Sequence, residues 1–279
     1  MTVTEVLLVM LVMPTGIIAE VQRCGRLLEN QLYNDKTFAE QDEHPWLGRI
    51  LYRDANQSTT SYRCTVVLLN PRHGLAPALC VDGRSIRENT PFAVMLGGPE
   101  CSSGGTFEID EIFVPPNYTH TRYEFDFAVI RLRKEVPFAQ HIQPICLPQS
   151  GEFAPTLAGQ NVEVIGFEVR TNDTSSLRRK TSAHLVVHSV CEEQYKHISP
   201  HLICGYVRGA ALQPGAILAG VRLVNGEPRQ YYLIGHLLAK FDSLVSGADL
   251  FMYIAPYRNW IEARINGLNE GRISLKAPT

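Results

Sequence analysis

Acyl transfer from an amide or ester needs a hydroxyl or thiol to attack, an imidazole to take its proton and a carboxylate to orient that imidazole. This chain carries such groups, but not in an order that assembles them readily. His236 with Ser243 or Ser246 is one possible pairing of base and nucleophile, and Asp126 is a carboxylate far upstream. No serine occurs between Gly205 and Arg229. The cysteines at 24, 64, 80, 101, 146, 191 and 204 form no CxxC pair and adjoin no histidine cluster at metal spacing, so they read as a disulfide framework rather than a zinc site. No metal or other cofactor is expected.

The elements that must position these groups are short. Arg63 to Asn70, Phe107 to Val114, Phe125 to Leu132, Val162 to Val169, His184 to Val190 and Tyr231 to Leu238 are apolar or alternating runs rich in β-branched and aromatic residues, the pattern of strands. Turn-forming clusters at Leu96 to Gly105 and Arg170 to Ser176 separate them, and Pro256 to Leu268 alone has a helical pattern. The expected class is all-β with a terminal helix. Arg178-Arg179-Lys180 reads as a solvated loop open to nicking.

Seven cysteines and three sequons, at Asn56, Asn117 and Asn172, point to an oxidising, exported environment with glycans at those asparagines. Val6 to Met13 is an apolar run too short to span a bilayer. Ile17-Ile18-Ala19 then ends what reads as a signal peptide over 1–19, although Glu5 stands where a basic residue is usual. A net charge of -2 gives no general attraction to nucleic acid or an anionic membrane.

Several segments carry a family resemblance. Glu43-His44-Pro45-Trp46 is similar to Glu-Phe-Pro-Trp, and Ala76-Pro77-Ala78-Leu79-Cys80 stands where Thr-Ala-Ala-His-Cys is usual. Asp126 to Leu132, Gln143 to Pro148 and Asn259-Trp260-Ile261 are similar to Asp-Ile-Ala-Leu-Ile-Arg-Leu, Pro-Ile-Cys-Leu-Pro and Asp-Trp-Ile. From Cys24 to Ile261 the chain resembles the trypsin-like serine proteases, the chymotrypsin family, and in detail their arthropod clip-type members. That resemblance implies two six-stranded antiparallel β-barrels with a C-terminal α-helix. The first barrel is expected over about 33–138 and the second over 139–279, after a tethered segment over 20–32. Only a few residues separate Ala19 from Cys24, so no clip module is expected in that interval.

The resemblance also implies pairings Cys64–Cys80, Cys191–Cys204 and Cys24–Cys146, with Leu212 and Ser246 at the places of a lost fourth pair. Cys101 is left over and could link to another chain. At the catalytic positions stand Leu79 for histidine, Asp126 for the aspartate and Ala216 for serine. Leucine and alanine have no lone pair to take or give a proton. Pro214 stands at the oxyanion glycine without an N–H, and Gly215 at the aspartate that would bind a newly cut N-terminus. Leu32-Tyr33-Asn34-Asp35 fills the activation stretch. Ala210 aligns with the pocket base, while Lys240 and Asp249 align with its wall glycines and are expected to pair across it. Such a chain is expected to be a secreted, catalytically inactive homologue that binds extracellular proteins, proteases or zymogens of a cascade among them. The alternative is an active endopeptidase with a relocated nucleophile.

Overall fold

The computed structural model describes residues 24–54, 60–83, 89–97, 104–119, 123–149, 154–168, 177–195, 198–209, 211–239, 247–267 and 274–276. The proposed signal peptide, Asn56, Cys101, Asn172, Ala210, Lys240, Ser243 and Ser246 lie outside the described residues.

Six antiparallel strands close the first barrel: β1 (Leu47–Arg53), β2 (Thr60–Asn70), β3 (His73–Ala76), β4 (Thr90–Leu96), β5 (Gly105–Phe113) and β6 (Ala128–Leu132). β6 pairs with both β3 and β5, which leaves no free edge in the ring. The second barrel is formed by β7 (Asn161–Phe167), β8 (Arg178–Val186), β9 (Leu202–Val207), β10 (Ile217–Val224), β11 (Glu227–Ala239) and β12 (Asp249–Tyr253). The fold is the expected pair of six-stranded antiparallel barrels. One short strand was not anticipated: β13 (Ser274–Lys276), beyond the terminal helix, returns to pair with β5 of the first barrel.

Each barrel has its own apolar interior, centred on Ile50, Val66 and Ile130 in one and Val164, Leu218 and Phe251 in the other. A third cluster joins them, with Trp46, Phe127, Ile217, Leu233 and Ile261 all fully buried. Cys64–Cys80, Cys191–Cys204 and Cys24–Cys146 are bonded as the resemblance implied. The first closes a short loop, worth about 3 kcal/mol through the entropy it removes from the unfolded chain. Among the described residues, no helix is long and apolar enough to cross a membrane.

Helical structure is broader than the sequence suggested. The terminal helix α3 (Arg258–Ile265) is present, but α1 (Glu29–Tyr33) lies in the N-terminal segment, and α2 (His188–Gln194) takes residues that read as the end of a strand. On α3, Trp260 stacks edge-on against Phe127 at 5.4 Å, so the end of the second barrel fixes the residue that follows Asp126 in the first.

The Arg178–Lys180 reading is overturned. These residues open β8, and Arg178 and Lys180 are buried. Arg178 donates to the carbonyls of Glu40, Gln41 and His44. Lys180 Nζ donates to the Asn34 carbonyl at 2.9 Å and to Glu43 at 3.2 Å. Glu43 also accepts from the Asn34 side-chain amide and the Glu40 N–H, both at 2.7 Å. Three basic residues look like a wet loop in sequence. Here carbonyls of residues 34–44 and the Glu43 carboxylate satisfy two of them, and those residues are thereby strapped to β8.

The strap supplies a test. Lys180→Met leaves the Glu43 carboxylate buried without its cation, so urea unfolding of the oxidised protein is expected to show a loss of about 3–5 kcal/mol. Adding Glu43→Gln, which keeps the acceptor for Glu40, should recover more than half of it. Simple additivity of the two losses would count against a coupled pair.

Candidate functional site

The seam between the barrels is where the sequence places its degenerate catalytic positions, and backbone geometry brings most of them together. A 3-10 turn over Ala78–Cys80 follows β3 and presents the Leu79 N–H to Asp126 Oδ1 at 2.9 Å. The Ala78 N–H also favours the charged form of that carboxylate. From the second barrel, His236 on β11 faces the Asp126 backbone carbonyl through Nε2 at 2.9 Å. The side chain thus fixes Asp126 within the first barrel, and its carbonyl reaches across to the second.

Burial governs the electrostatics of this junction. Asp126 is 1% exposed, and desolvation pushes its carboxyl up to about 7 against the opposing pull of the Leu79 and Ala78 N–H groups, with Asp82 adding a smaller upward push. His236 is equally enclosed, and burial brings its imidazole down to about 4 despite the Asp126 carbonyl. It is neutral at physiological pH, with Nδ1 sealed from solvent and unpartnered.

The loop from Gln213 to Ala216 forms the other wall. Pro214 offers its carbonyl to the Thr65 N–H of β2 at 2.8 Å, and Gly215 donates to the Leu237 carbonyl of β11 at 2.8 Å. Gly215 has φ +87°, and a Cβ there would lie 2.2 Å from the Thr65 carbonyl oxygen. An aspartate could not occupy this position without moving the loop. The Ala216 N–H turns back to the Gln213 carbonyl at 3.2 Å. Of the two donors at the expected anion hole, one is missing because position 214 is proline and the other is engaged inside the loop.

The remaining predicted positions are dispersed. Asp249 is buried on β12, where Oδ2 accepts the Val207 N–H at 3.3 Å, while Ala210 and Lys240, its expected pocket companions, lie outside the described residues. Leu212, at one half of the lost disulfide, is buried and bridges to Glu168. Asn117 of the second sequon is exposed, as glycan attachment requires. The activation stretch 32–35 runs out of α1, with Tyr33 78% exposed and Asn34 held by Lys180 and Glu43.

Sequence reasoning missed a second polar cluster beneath that stretch. His44 is fully buried and sits 3.7 Å from Glu163 of β7, with the buried Gln31 of α1 against its ring. Burial, aided by Arg178 and Lys180, lowers the His44 imidazole well below its ordinary value, whereas burial raises Glu163 to about 7. The signal available in the sequence was charge complementarity: Glu40, Asp42 and Glu43 in one segment and Arg178 to Lys180 in another.

Comparison with known proteins matches residues 34–261 to the family model described as trypsin. The chain is 27% identical to phenoloxidase-activating factor 1 of Holotrichia diomphalia, over 87% of this chain and 72% of that protein. It is 24% identical to CLIP domain-containing serine protease B10 of Anopheles gambiae, over 80% and 67% respectively. Vitamin K-dependent protein C of Mus musculus is 28% identical over 90% of this chain and 56% of its own length.

The Asp126 environment predicts a pH dependence. A carboxyl raised on folding adds stability below the ordinary carboxylate range, and that contribution is lost as pH rises through about 7. Asp126→Asn keeps an acceptor for Leu79 and has no proton to lose. Its urea-unfolding free energy should match the wild type near pH 4 and exceed it by about 1–3 kcal/mol at pH 8. Parallel pH profiles for the two proteins would contradict the assignment.

Proposed function

The chain belongs to the trypsin family, and from that premise we propose that it is a secreted, catalytically inactive member acting through protein binding. The observation that carries this reading is the loop at 213–216. Pro214 has no N–H, the Ala216 N–H is directed to Gln213, and no hydroxyl stands at 216. With Leu79 beside Asp126, the seam holds a carboxylate without an imidazole to orient and an alanine where a nucleophile is needed. Removal of a single anion-hole donor costs an active enzyme about 10²–10³ in rate, and here the base and nucleophile are absent as well.

The reading of an active endopeptidase with a relocated nucleophile draws no support from His236, which is buried and committed to the Asp126 carbonyl. The three disulfides favour an oxidising, extracellular setting. A relative named for activating phenoloxidase and others named clip-domain serine proteases favour partners among proteases or zymogens of an extracellular cascade of the melanisation type, as an adaptor or regulator. Cys101 is a candidate for covalent linkage to such a partner.

Two measurements test this function. Purified, correctly oxidised protein should take no label from a fluorophosphonate probe and cleave no member of a broad peptide library. Turnover abolished by a serine-directed inhibitor would overturn the assignment. Capture on immobilised protein from the native extracellular fluid should retain a trypsin-family zymogen or protease, and retention of none would remove the cascade role.

A further inference from the structure

A cavity of about 410 Å³ opens on the outer face of the second barrel, between α1 and the strands β7, β10 and β11, apart from the seam at Asp126. Its size is that of a small-ligand site. The polar part of its wall comes from Gln31, Asn34, Gln160, Asn161, Glu163 and Tyr231, and the rest is largely aliphatic. Most of these polar groups already have work inside the protein. Gln31 faces the His44 ring and Asn34 donates to Glu43, while the Gln160 side chain donates to the Thr156 carbonyl and Asn161 contacts His184. Glu163 differs. Its side chain is about a third exposed, and among the described residues its one close polar contact is His44 Nε2 at 3.7 Å.

His44 cannot neutralise that carboxylate, because full burial and the nearby cations hold the imidazole uncharged. The other charged and titratable groups facing this cluster are Lys180 on β8, Glu43 on the N-terminal segment, Arg178 behind His44 and Tyr231 on β11. Lys180 is committed to Glu43 and the Asn34 carbonyl. The Tyr231 phenol is pushed up by burial and by Glu163 itself, so it stays neutral. The cavity is therefore lined mainly by polar groups, with Leu32, Leu157 and Val221 as partly exposed apolar residues to meet a short hydrocarbon stem, and at Glu163 it holds an acceptor with capacity to spare.

We propose that this cavity is a binding site for a single organic cation, a guanidinium or ammonium group on a short aliphatic stem, with Glu163 as its counter-charge. The same chemistry is offered by a free small amine and by an arginine or lysine side chain projecting from another protein. Arginine suits the carboxylate best, through its paired N–H groups. Burial raises the Glu163 carboxyl to about 7, so the site holds its charge, and attracts a cation, only above neutrality. The proposal does not depend on the inactivity of the seam.

Isothermal titration of the full oxidised chain tests it with three probes: agmatine, the peptide acetyl-Gly-Arg-Gly-amide, and the same peptide with uncharged citrulline in place of arginine. The arginine peptide should bind and the citrulline peptide should not. Agmatine matching the arginine peptide would point to a free amine as the ligand, and its weaker binding to a protein side chain. Affinity should fall about tenfold per pH unit below 7 as Glu163 takes a proton. Glu163→Gln, with its unfolding midpoint measured alongside, should lose at least tenfold in affinity and the pH dependence. Equal binding of the arginine and citrulline peptides, a flat pH profile in the wild type, or undiminished affinity in a folded Glu163→Gln would each overturn the proposal.

Discussion

Asp126 is the point through which the two barrels are held in register. One barrel meets its side chain through the Leu79 N–H, the other meets its main chain through His236, and Trp260 of the terminal helix packs on the next residue, Phe127. A carboxyl in so dry a place carries a desolvation penalty that two backbone donors offset only in part. In an enzyme of this fold that penalty is met by a cationic imidazole during turnover. Here the carboxyl is met by the Leu79 N–H, and the buried His236 imidazole remains neutral at the same junction and offers the Asp126 carbonyl a hydrogen bond instead of a charge.

The 213–216 loop obeys the same logic. Its carbonyl and N–H groups are shared out between β2 and β11, so the loop's residues meet packing requirements of both barrels. Gly215 fits because no Cβ can stand beside the Thr65 carbonyl, and Ala216 fits because its methyl already crowds Gly166, where an added Cβ would approach to 2.4 Å. Proline at 214 has no N–H to satisfy, and its carbonyl serves Thr65. The loop thereby closes the barrel seam.

Much of this was legible in the sequence, because the features concerned have local signatures. The apolar runs lead to an all-β chain with a terminal helix, and the family resemblance carried by the segments around Cys80, Asp126 and Cys146 implies the two barrels, the three disulfides and the seam. What could not be read depends on contacts between distant segments. Arg178 and Lys180 look solvated until the carbonyls of residues 40–44 and the Glu43 carboxylate are placed opposite them. The helix over His188–Gln194 hides behind β-branched neighbours, and α1 is a single turn and a half with no side-chain cap.

Most of those unreadable contacts share one region, the N-terminal segment. In this chain Asn34 is fastened by Lys180 and Glu43, and Gln31 closes over His44. Breaking any of these contacts would leave an unsatisfied donor or charge behind, so Arg178 and Lys180 hold the segment to β8 at a second point beyond the Cys24–Cys146 bond.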